Sequence, residues 1–399
     1  MNFTPIAPTD IKGNIDNKLL EKANTLLLEA AKLEGSHTPQ ILQAVKDLLY
    51  TVNSYYSNKI ESEGTHIIDI ERAMQKDYSS DVKKRNLQIL SLAHIEVQKE
   101  CEKYFSDNPN TSPYHKTFIL GIHKSFYSKE GMEPFLHISH ENMKEELIPG
   151  VLRHREVKVG NHIAPNVHEV DSLMNEFEHL YNKSLNSNDA VKLIHILSSH
   201  HRLMWIHPFL DGNGRTARLV LDGAFSSIKM RGYGLWNISR GLARHTDEYK
   251  SNLAYADMVK QGEKDGKGVL SSGALTKFVE FMLDTALDQV EYMNKHLKLN
   301  ALTEKIELYV QRVNDGLLCI EPLPKHSEKI FKYLLLSGEC VRGKIPEIIG
   351  MKERTASRVI SELLKRNFIA SDSKAGPIRL KIGASMASYL FPMLVPDEV

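Results

Sequence analysis

The chain has 399 residues, enough for two or three domains with hydrophobic cores of their own. Its 51 basic and 50 acidic side chains nearly cancel, so the overall composition favours neither nucleic acid nor a membrane surface as a partner. Cys101, Cys319 and Cys340 form no CxxC pair and predict neither a disulfide framework nor a zinc site. The sequence shows no N-terminal leader pattern and no run of about 18 apolar residues, so we expect a soluble, cytoplasmic protein that does not bind membranes.

The first predicted elements are two amphipathic helices, at residues 17–32 and 39–61. Apolar residues recur in them every three or four positions, and the sequence GSHTP separates them. The same spacing predicts further helices at residues 69–74, 81–105, 113–128, 168–185, 189–206, 215–230, 246–261 and 271–299. The body of the protein is therefore predicted to be mainly helical.

Residues 150–167 interrupt this helical pattern. Side chains alternate from Val151 to Val159, and Gly160-Asn161 has the chemistry of a tight turn. The segment therefore predicts a small β-hairpin.

A proline-bounded break at residues 320–324, IEPLP, precedes a segment of different charge. Residues 325–383 contain 13 Lys and Arg against 6 Asp and Glu, a net charge of +7. Helical segments at 326–337, 343–350 and 353–367 precede the stretch FIASDSKAGPIRLK, an order typical of a winged helix-turn-helix. Lys352, Arg354, Arg358, Lys365 and Arg366 could grip DNA phosphates, so DNA binding is one open function for this segment.

The stretch HPFLDGNGRTAR, residues 207–218, carries most of the chemistry. Pro208 prevents a preceding helix from continuing, so His207 is presented at a loop. Gly212 and Gly214 allow a ligand to approach the main chain closely. The helix predicted to start here offers free N–H groups, which form an anion site.

Three charged side chains complete this stretch. Arg215 and Arg218 are three residues apart and share one helix face, so both can point at the same phosphate chain. Asp211 offers a carboxylate of the kind that holds Mg²⁺ beside phosphates. The stretch predicts attack on a nucleotide phosphate, with His207 as general base toward a hydroxyl nucleophile.

These twelve residues resemble the signature HPFxDGNGRxxR of the Fic family, and every position matches. Members of that family mainly transfer AMP from ATP to a Ser, Thr or Tyr hydroxyl of a protein. The resemblance implies an all-α Fic core with a small β-hairpin flap, ATP as substrate and Mg²⁺ as cofactor. It also implies that His207 is the catalytic base and Asp211 the metal ligand.

The resemblance assigns further roles by position. Asn213 and the amides of Gly212 and Gly214 would hold the α-phosphate, Arg215 the distal phosphates and Arg218 the γ-phosphate. Phe209 would lie in the binding loop as a core plug, and Tyr249 and Asn252 are candidates for the adenine pocket. Residues 150–167 resemble the family's flap, which aligns a segment of the target protein by strand addition.

Ser57 and Glu61 stand four residues apart and share a helix face. They resemble the family's inhibitory pattern (S/T)xxxE(G/N), in which the glutamate pairs with the second arginine of the motif, here Arg218. Ser62 departs from that pattern, where Gly or Asn is usual. The resemblance implies self-inhibition through Glu61, although the same glutamate could instead position a water that removes AMP.

The expected organisation has four parts: an N-terminal helical region at 1–110 with the inhibitory helix at about 39–64, a Fic core at 111–300, a linker helix and proline break at 301–324, and a winged helix-turn-helix at 325–399. The expected function is autoinhibited adenylylation of a protein that docks along the flap. Removal of AMP and transfer of another nucleotidyl group remain alternatives, as does a DNA-binding regulator. Self-modification and a homodimer are also compatible with the sequence.

Overall fold

A computed structural model describes residues 2–140, 143–160 and 162–396. Its helices are α1 (Asn17–Glu34), α2 (Pro39–Ile60), α3 (Ile67–Met74), α4 (Val82–Asp107), α5 (Lys116–Tyr127), α6 (Val170–Ser184), α7 (Asp189–Ile206), α8 (Asn213–Ser227), α9 (Ile238–Arg244), α10 (Thr246–Ala256), α11 (Ser272–His296), α12 (Leu299–Asn314), α13 (Ser327–Ser337), α14 (Ile345–Ile349), α15 (Glu353–Lys365) and α16 (Ala384–Leu390). The strands are β1 (His137–His140), β2 (Met143–Glu146), β3 (Lys158–Val159), β4 (His162–Ile163), β5 (Glu339–Cys340), β6 (Ile369–Ala370) and β7 (Ile378–Leu380). The predicted helical character of the body is confirmed.

Helix α8 lies at the centre of the body. Its apolar side chains are buried on every face, and it packs against α4 and α7. Helix α2 packs beside α4 and ends close to the N-terminus of α8. This packing brings two segments about 150 residues apart in sequence to one place.

The N-terminal arm was not predicted as a structured element. Phe3 is fully buried against Phe177 and Trp205, and the backbone oxygen of Thr4 accepts hydrogen bonds from the amides of Val269 and Leu270. The arm therefore packs against one side of the helical core.

The predicted hairpin at 150–167 forms, but with a much shorter ladder. Only Lys158–Val159 pairs with His162–Ile163, in antiparallel register, and Asn161 lies outside the described residues. The preceding arm is not a strand because Arg153 is buried and bonded to other loops. Its amide donates to Pro208 O (2.8 Å), and its guanidinium donates to the carbonyls of His207 and Pro165.

A second hairpin, β1 with β2, was not predicted. Its strands pair from His137↔Glu146 to His140↔Met143. The sequences HISH and MKEE lack a clear apolar alternation, so the period-2 signal of a half-buried strand is weak here.

The C-terminal segment begins with α13 and β5, continues through α14 and α15, and ends with β6, β7 and α16. Its three strands form one antiparallel sheet in the order β5-β7-β6. The end of the chain then packs back on the N-terminal helices, where Tyr56 Oη donates to Leu394 O (3.2 Å) and Ala384 N donates to Glu71 Oε1 (2.7 Å). Within the described ranges, no helix is both long and apolar enough to cross a membrane.

Candidate active site

His207 lies at the end of α7 and at the entrance of the loop that leads to α8. It takes a left-handed backbone conformation (φ 50°, ψ 63°), which turns the chain out of the helix before Pro208. Burial, together with the nearby His162 and Arg153, lowers the pKa of His207 to about 4. The imidazole is therefore neutral at physiological pH, the form that a general base requires.

The loop from His207 to Gly214 is fixed by its own side chains. Asn213 Oδ1 accepts a hydrogen bond from Phe209 N (2.9 Å), and Asn213 Nδ2 donates to Phe209 O (2.8 Å). The ring of Phe209 is fully buried and stacks on His123 at 3.9 Å between centroids. The Asn213 side chain thus closes the loop, and Phe209 is a core plug.

His123, on α5, connects this loop to the base of the flap. Its Nδ1 accepts from Gly150 N (2.8 Å), which leaves Nε2 as the donor to Asp211 O (3.2 Å). Burial lowers the pKa of His123 to about 4, consistent with this neutral ring. No local sequence pattern indicated His123, because its hydrogen-bond partners are 27 and 88 residues away.

The start of α8 leaves room for an anion. Gly212 has φ 76°, and a side chain there would overlap the ring of Tyr127, with Cε2 only 2.6 Å from an added Cβ. A Cβ on residue 214 would overlap Glu61 Oε1. The Glu61 carboxylate therefore stands against the first turn of α8, where free backbone N–H groups and the helix dipole favour negative charge.

Arg218 is held by the end of α2. Its Nε donates to Ser57 Oγ (2.9 Å), and its Nη2 donates to Ser57 O (2.9 Å) and Glu61 Oε1 (2.6 Å). The Arg218 side chain is only 2% exposed. Burial alone would raise the pKa of Glu61, but Arg218 and Arg215 outweigh it and lower that pKa.

Arg215, the other arginine of the motif, pairs with Glu63. Its Nη1 donates to Glu63 Oε2, and its side chain is 6% exposed. Sequence reasoning missed Glu63. The one feature of the sequence that could have indicated Glu63 is its position as a second carboxylate two residues after Glu61, just past the end of α2.

The flap contacts the end of α7 through a second group of residues that the sequence did not reveal. His162 Nδ1 lies 2.8 Å from Asp257 Oδ2, and His162 Nε2 lies 3.1 Å from Trp205 O. The His162 ring is 6.1 Å from the ring of His207. Burial opposes ionisation of Asp257, but hydrogen bonds from His162 and His201 lower its pKa to about 2.

Asp211 carries an exposed carboxylate beside the first arginine of the motif. Its side chain is 51% exposed, and Oδ2 is 4.0 Å from Arg215 Nη2. No group of three or more His, Cys, Asp or Glu side chains among the described residues could hold a metal ion by itself. One open carboxylate fits Mg²⁺, which commonly takes one or two protein oxygens together with phosphate and water.

Tyr249 and Asn252, the candidates for the base pocket, lie on α10 in different surroundings. Tyr249 is 1% exposed, and its hydroxyl lies 2.7 Å from His200 Nε2. Asn252 is partly exposed, and its side-chain amide donates to Glu248 O (2.9 Å). Of the two, Asn252 is the one accessible from solvent.

Residues 113–223 match the sequence model of the Fic/DOC family. A protein adenylyltransferase Fic from Drosophila mojavensis is 42% identical over 73 residues, which cover 18% of this chain and 14% of that protein. The chain thus spans about one seventh of the length of this curated relative.

Two solved structures share the fold. A Fic domain containing signaling protein from Bacteroides thetaiotaomicron aligns with a TM-score of 0.54 and 17% identity, over 69% of this chain and 97% of the other. Fic-1 from C. elegans aligns with a TM-score of 0.50 and 15% identity, over 70% and 72% of the two chains. Residues 113–223, which match the Fic/DOC family model, contain the complete HPFLDGNGRTAR motif, and the two solved structures share the fold.

Proposed function

We propose that this protein is an adenylyltransferase that moves AMP from ATP to a hydroxyl side chain of a protein. One observation carries the proposal: the carboxylate of Glu61 stands against Gly214 at the start of α8 and accepts a hydrogen bond from Arg218. An anion thus already lies where helix amides and a buried guanidinium converge, and a phosphate would use the same donors. The curated relatives named protein adenylyltransferase support the choice of nucleotidyl transfer.

In the proposed reaction, His207 removes the proton from the attacking hydroxyl. The oxygen attacks the α-phosphorus of ATP, a P–O bond forms to the protein, and the bond to the β-phosphate oxygen breaks, so pyrophosphate leaves. The free amides at the start of α8 would stabilise the charge that develops on the α-phosphate, and Arg215 and Arg218 would hold the distal phosphates. Mg²⁺ bound to Asp211 and the phosphates would neutralise further negative charge.

The flap is the proposed docking edge for the target protein. Val159 and Ile163, on its two short strands, are 51% and 75% exposed. An exposed strand edge can accept an extended segment by main-chain hydrogen bonds. His162 and Arg153 fix the base of the flap to Trp205, His207 and Pro208, so a docked hydroxyl would be presented near His207. On α10, Asn252 and Tyr249 stay the proposed base-pocket residues, with Asn252 accessible from solvent and Tyr249 buried against His200.

Glu61 is the proposed brake on this reaction. While its carboxylate accepts from Arg218, that arginine cannot give the same donor to the γ-phosphate. The pair is anchored further by Ser57, which accepts from Arg218 through both its hydroxyl and its carbonyl oxygen. Removing the carboxylate should free the donor that Arg218 now gives to Glu61, while His207 remains as the base.

The test compares the wild-type protein with Glu61→Gly and with Glu61→Gly/His207→Ala. Each protein is incubated with Mg²⁺ and one of four nucleoside triphosphates, and the intact mass is then measured with and without added acceptor proteins. We expect Glu61→Gly, incubated with ATP, to add one AMP to itself or to an acceptor at least about 10-fold faster than wild type, and the double variant to add none. Equal rates for Glu61→Gly and the double variant would refute the assignment. Loss of AMP from a previously modified protein would instead favour the removal reaction.

A second candidate function concerns the C-terminal segment, which we propose is a winged helix-turn-helix that binds DNA. Helix α15 buries Ala356, Val359, Ile360 and Leu363 and exposes its opposite face. On that face, Arg354 and Arg358 have no ion-pair partner in the described part of the chain. Arg366 is not available, because it donates to the backbone oxygens of Glu321 and Pro322.

The DNA test uses point variants, because the end of the chain packs on α2 and α3 and its removal would expose their buried surfaces. Retention on duplex DNA is measured at several salt concentrations for the wild type and for Arg354→Ala/Arg358→Ala. We expect weaker retention and a salt dependence reduced by about two charges. The exposed pair Lys83→Ala/Lys84→Ala, on α4, is the charge-matched control. Identical salt curves for all three proteins would exclude this face as the binding surface.

A further inference from the structure

The turn that follows α2 brings a second carboxylate to the candidate site. Helix α2 ends at Ile60, after which Ser62 N donates to Lys59 O (2.9 Å) and Glu63 N donates to Asn58 O (3.0 Å). These two bonds define a Schellman cap, and Ser62 occupies its left-handed position with φ 63°. The reversal turns Glu63 back toward α8, the same element that Glu61 contacts.

Glu63 is the principal partner of Arg215. Nη1 of Arg215 donates to the Glu63 carboxylate, whereas Nη2 is 4.0 Å from Asp211 Oδ2, beyond hydrogen-bond distance. Arg215 Nε is buried and has no hydrogen-bond partner among the described residues. Within the described residues, the guanidinium therefore has a hydrogen bond to Glu63 and a longer ion-pair contact to Asp211, so a phosphate would compete with Glu63 for it.

We propose that Glu63 is a second inhibitory carboxylate, which occupies Arg215 as Glu61 occupies Arg218. The inference rests on the proposed function, because it requires that both arginines bind the polyphosphate of a nucleoside triphosphate. Two carboxylates then neutralise both cations of the motif. Releasing Glu61 alone frees one arginine and leaves the other engaged.

The cap couples the two contacts. Glu61 and Glu63 are the two chain neighbours of Ser62, and the backbone amides of both donate to the carbonyl oxygen of Asn58. A shift of the last turn of α2 would therefore move both carboxylates away from α8 together. Substitution of one glutamate removes only its own contact with an arginine, whereas movement of the intact turn would break both contacts together.

The alternative is that the ion pair of Glu63 with Arg215 has only a structural role at the surface. Its side chain is 37% exposed, and exposed ion pairs contribute little to stability. The two readings differ in what they predict for nucleotide binding. A surface pair can be removed without changing ATP affinity, whereas an inhibitory carboxylate competes with phosphate for Arg215.

The experiment measures ATP affinity by calorimetry in the presence of Mg²⁺, a readout that does not depend on AMP transfer. The proteins are the wild type, Glu63→Gln, Glu63→Ala, Glu61→Gln, the double variant Glu61→Gln/Glu63→Gln, and Glu21→Gln. Glu21 is an exposed glutamate of α1 that makes no ion pair within the described ranges, so it controls for the loss of one negative charge. Melting curves confirm that each protein is folded.

We expect Glu63→Gln to bind ATP about three- to tenfold more tightly than both wild type and Glu21→Gln, and the double variant to bind more tightly than either single variant. Glu63→Ala should tighten binding in the same direction. Unchanged affinity in Glu63→Gln and Glu63→Ala, beside tighter binding by Glu61→Gln, would refute the role of Glu63 and leave the proposed function intact. Absence of ATP binding in every variant would refute both.

Discussion

Ser62 is a β-carbon-bearing residue in a backbone conformation that favours glycine. Its φ of 63° is required by the Schellman cap that ends α2. The family pattern that the sequence resembles has Gly or Asn here, and the left-handed conformation supplies the physical reason. The turn that carries both carboxylates therefore contains local strain.

Replacing this residue should relieve the strain. We expect Ser62→Gly to raise the free energy of unfolding by about 0.5 to 1.5 kcal/mol, because glycine adopts positive φ without a steric penalty. Ser62→Ala keeps the Cβ and should give no such gain. Denaturant titration of the three proteins measures the difference, and a Ser62→Gly protein no more stable than Ser62→Ala would contradict the argument.

The low pKa of His207 predicts an unusual pH profile. Burial lowers this pKa to about 4, so the ring stays unprotonated well below pH 6. Transfer by Glu61→Gly should therefore change by less than about twofold between pH 8 and pH 5.5, whereas an imidazole of ordinary pKa would lose about tenfold. Rates at saturating ATP measure this profile. A fall centred near pH 6.5 would show that His207 titrates normally.

The sequence predicted the residues of the site that are close together along the chain. His207, Asp211, Arg215 and Arg218 lie within one loop and the helix turns that follow it, so spacing alone places them together. Glu63 was missed because helical spacing puts it about 200° around the helix from Glu61. Only the left-handed turn at Ser62 returns it to the same side.

At the level of elements, the N-terminus of α8 serves the proposed reaction because glycine occupies the second position of the helix. Gly214 has no Cβ, so an anion can approach the first turn of the helix. The missing side chain at Gly214 also lets the Glu61 carboxylate reach Arg218 and accept its hydrogen bond. Both the proposed phosphate site and the proposed brake thus depend on one glycine.

Gly214→Ala should disturb both functions at once. The added methyl group overlaps the position of Glu61 Oε1 and narrows the space for a phosphate. Introduced into Glu61→Gly, the substitution should reduce kcat/KM for ATP by at least about 10-fold. Gly121→Ala is the matched control, because a Cβ there meets nothing within 4 Å. Full activity of Glu61→Gly/Gly214→Ala would contradict this account of the helix N-terminus.

The elements themselves were predictable to different degrees. Long amphipathic helices such as α2, α7 and α11 follow from their apolar period, and their ends agree within a few residues. Helix α9 was missed because seven residues give too few repeats of that period. The flap was predicted as a longer hairpin, because its alternation gives no sign that Arg153 is buried against the loop of His207.

At the scale of the whole molecule, the C-terminal segment and the N-terminal helices are joined by buried polar contacts. Glu71, on α3, accepts from the amide of Ala384 at the start of α16. Burial raises the pKa of Glu71 to about 7. Sequence could not reveal this junction, because its partners are 313 residues apart and neither carries a recognisable pattern.

The junction predicts a pH-dependent stability. Between the ordinary glutamate pKa near 4.3 and the raised value near 7, the folded state keeps a proton that the unfolded state has lost. Stability should therefore fall as pH rises through this window. Glutamine is neutral like the protonated carboxyl group. The free energy of unfolding of Glu71→Gln, relative to that of the wild type, should therefore rise by about 1 to 3 kcal/mol from pH 4.5 to pH 8. Denaturant titration at several pH values measures it, and a constant difference would contradict the raised pKa.

If the motif at the start of α8 catalyses adenylylation, the α-phosphate is transferred together with its nucleoside. Glu61→Gly is incubated with Mg²⁺ and ATP labelled with ³²P at either the α- or the γ-phosphate, and the label bound to protein is measured for each. We expect protein labelling from α-labelled ATP, none from γ-labelled ATP, and none from either when His207 is replaced by Ala. Labelling from the γ-phosphate, or labelling that survives His207→Ala, would contradict it.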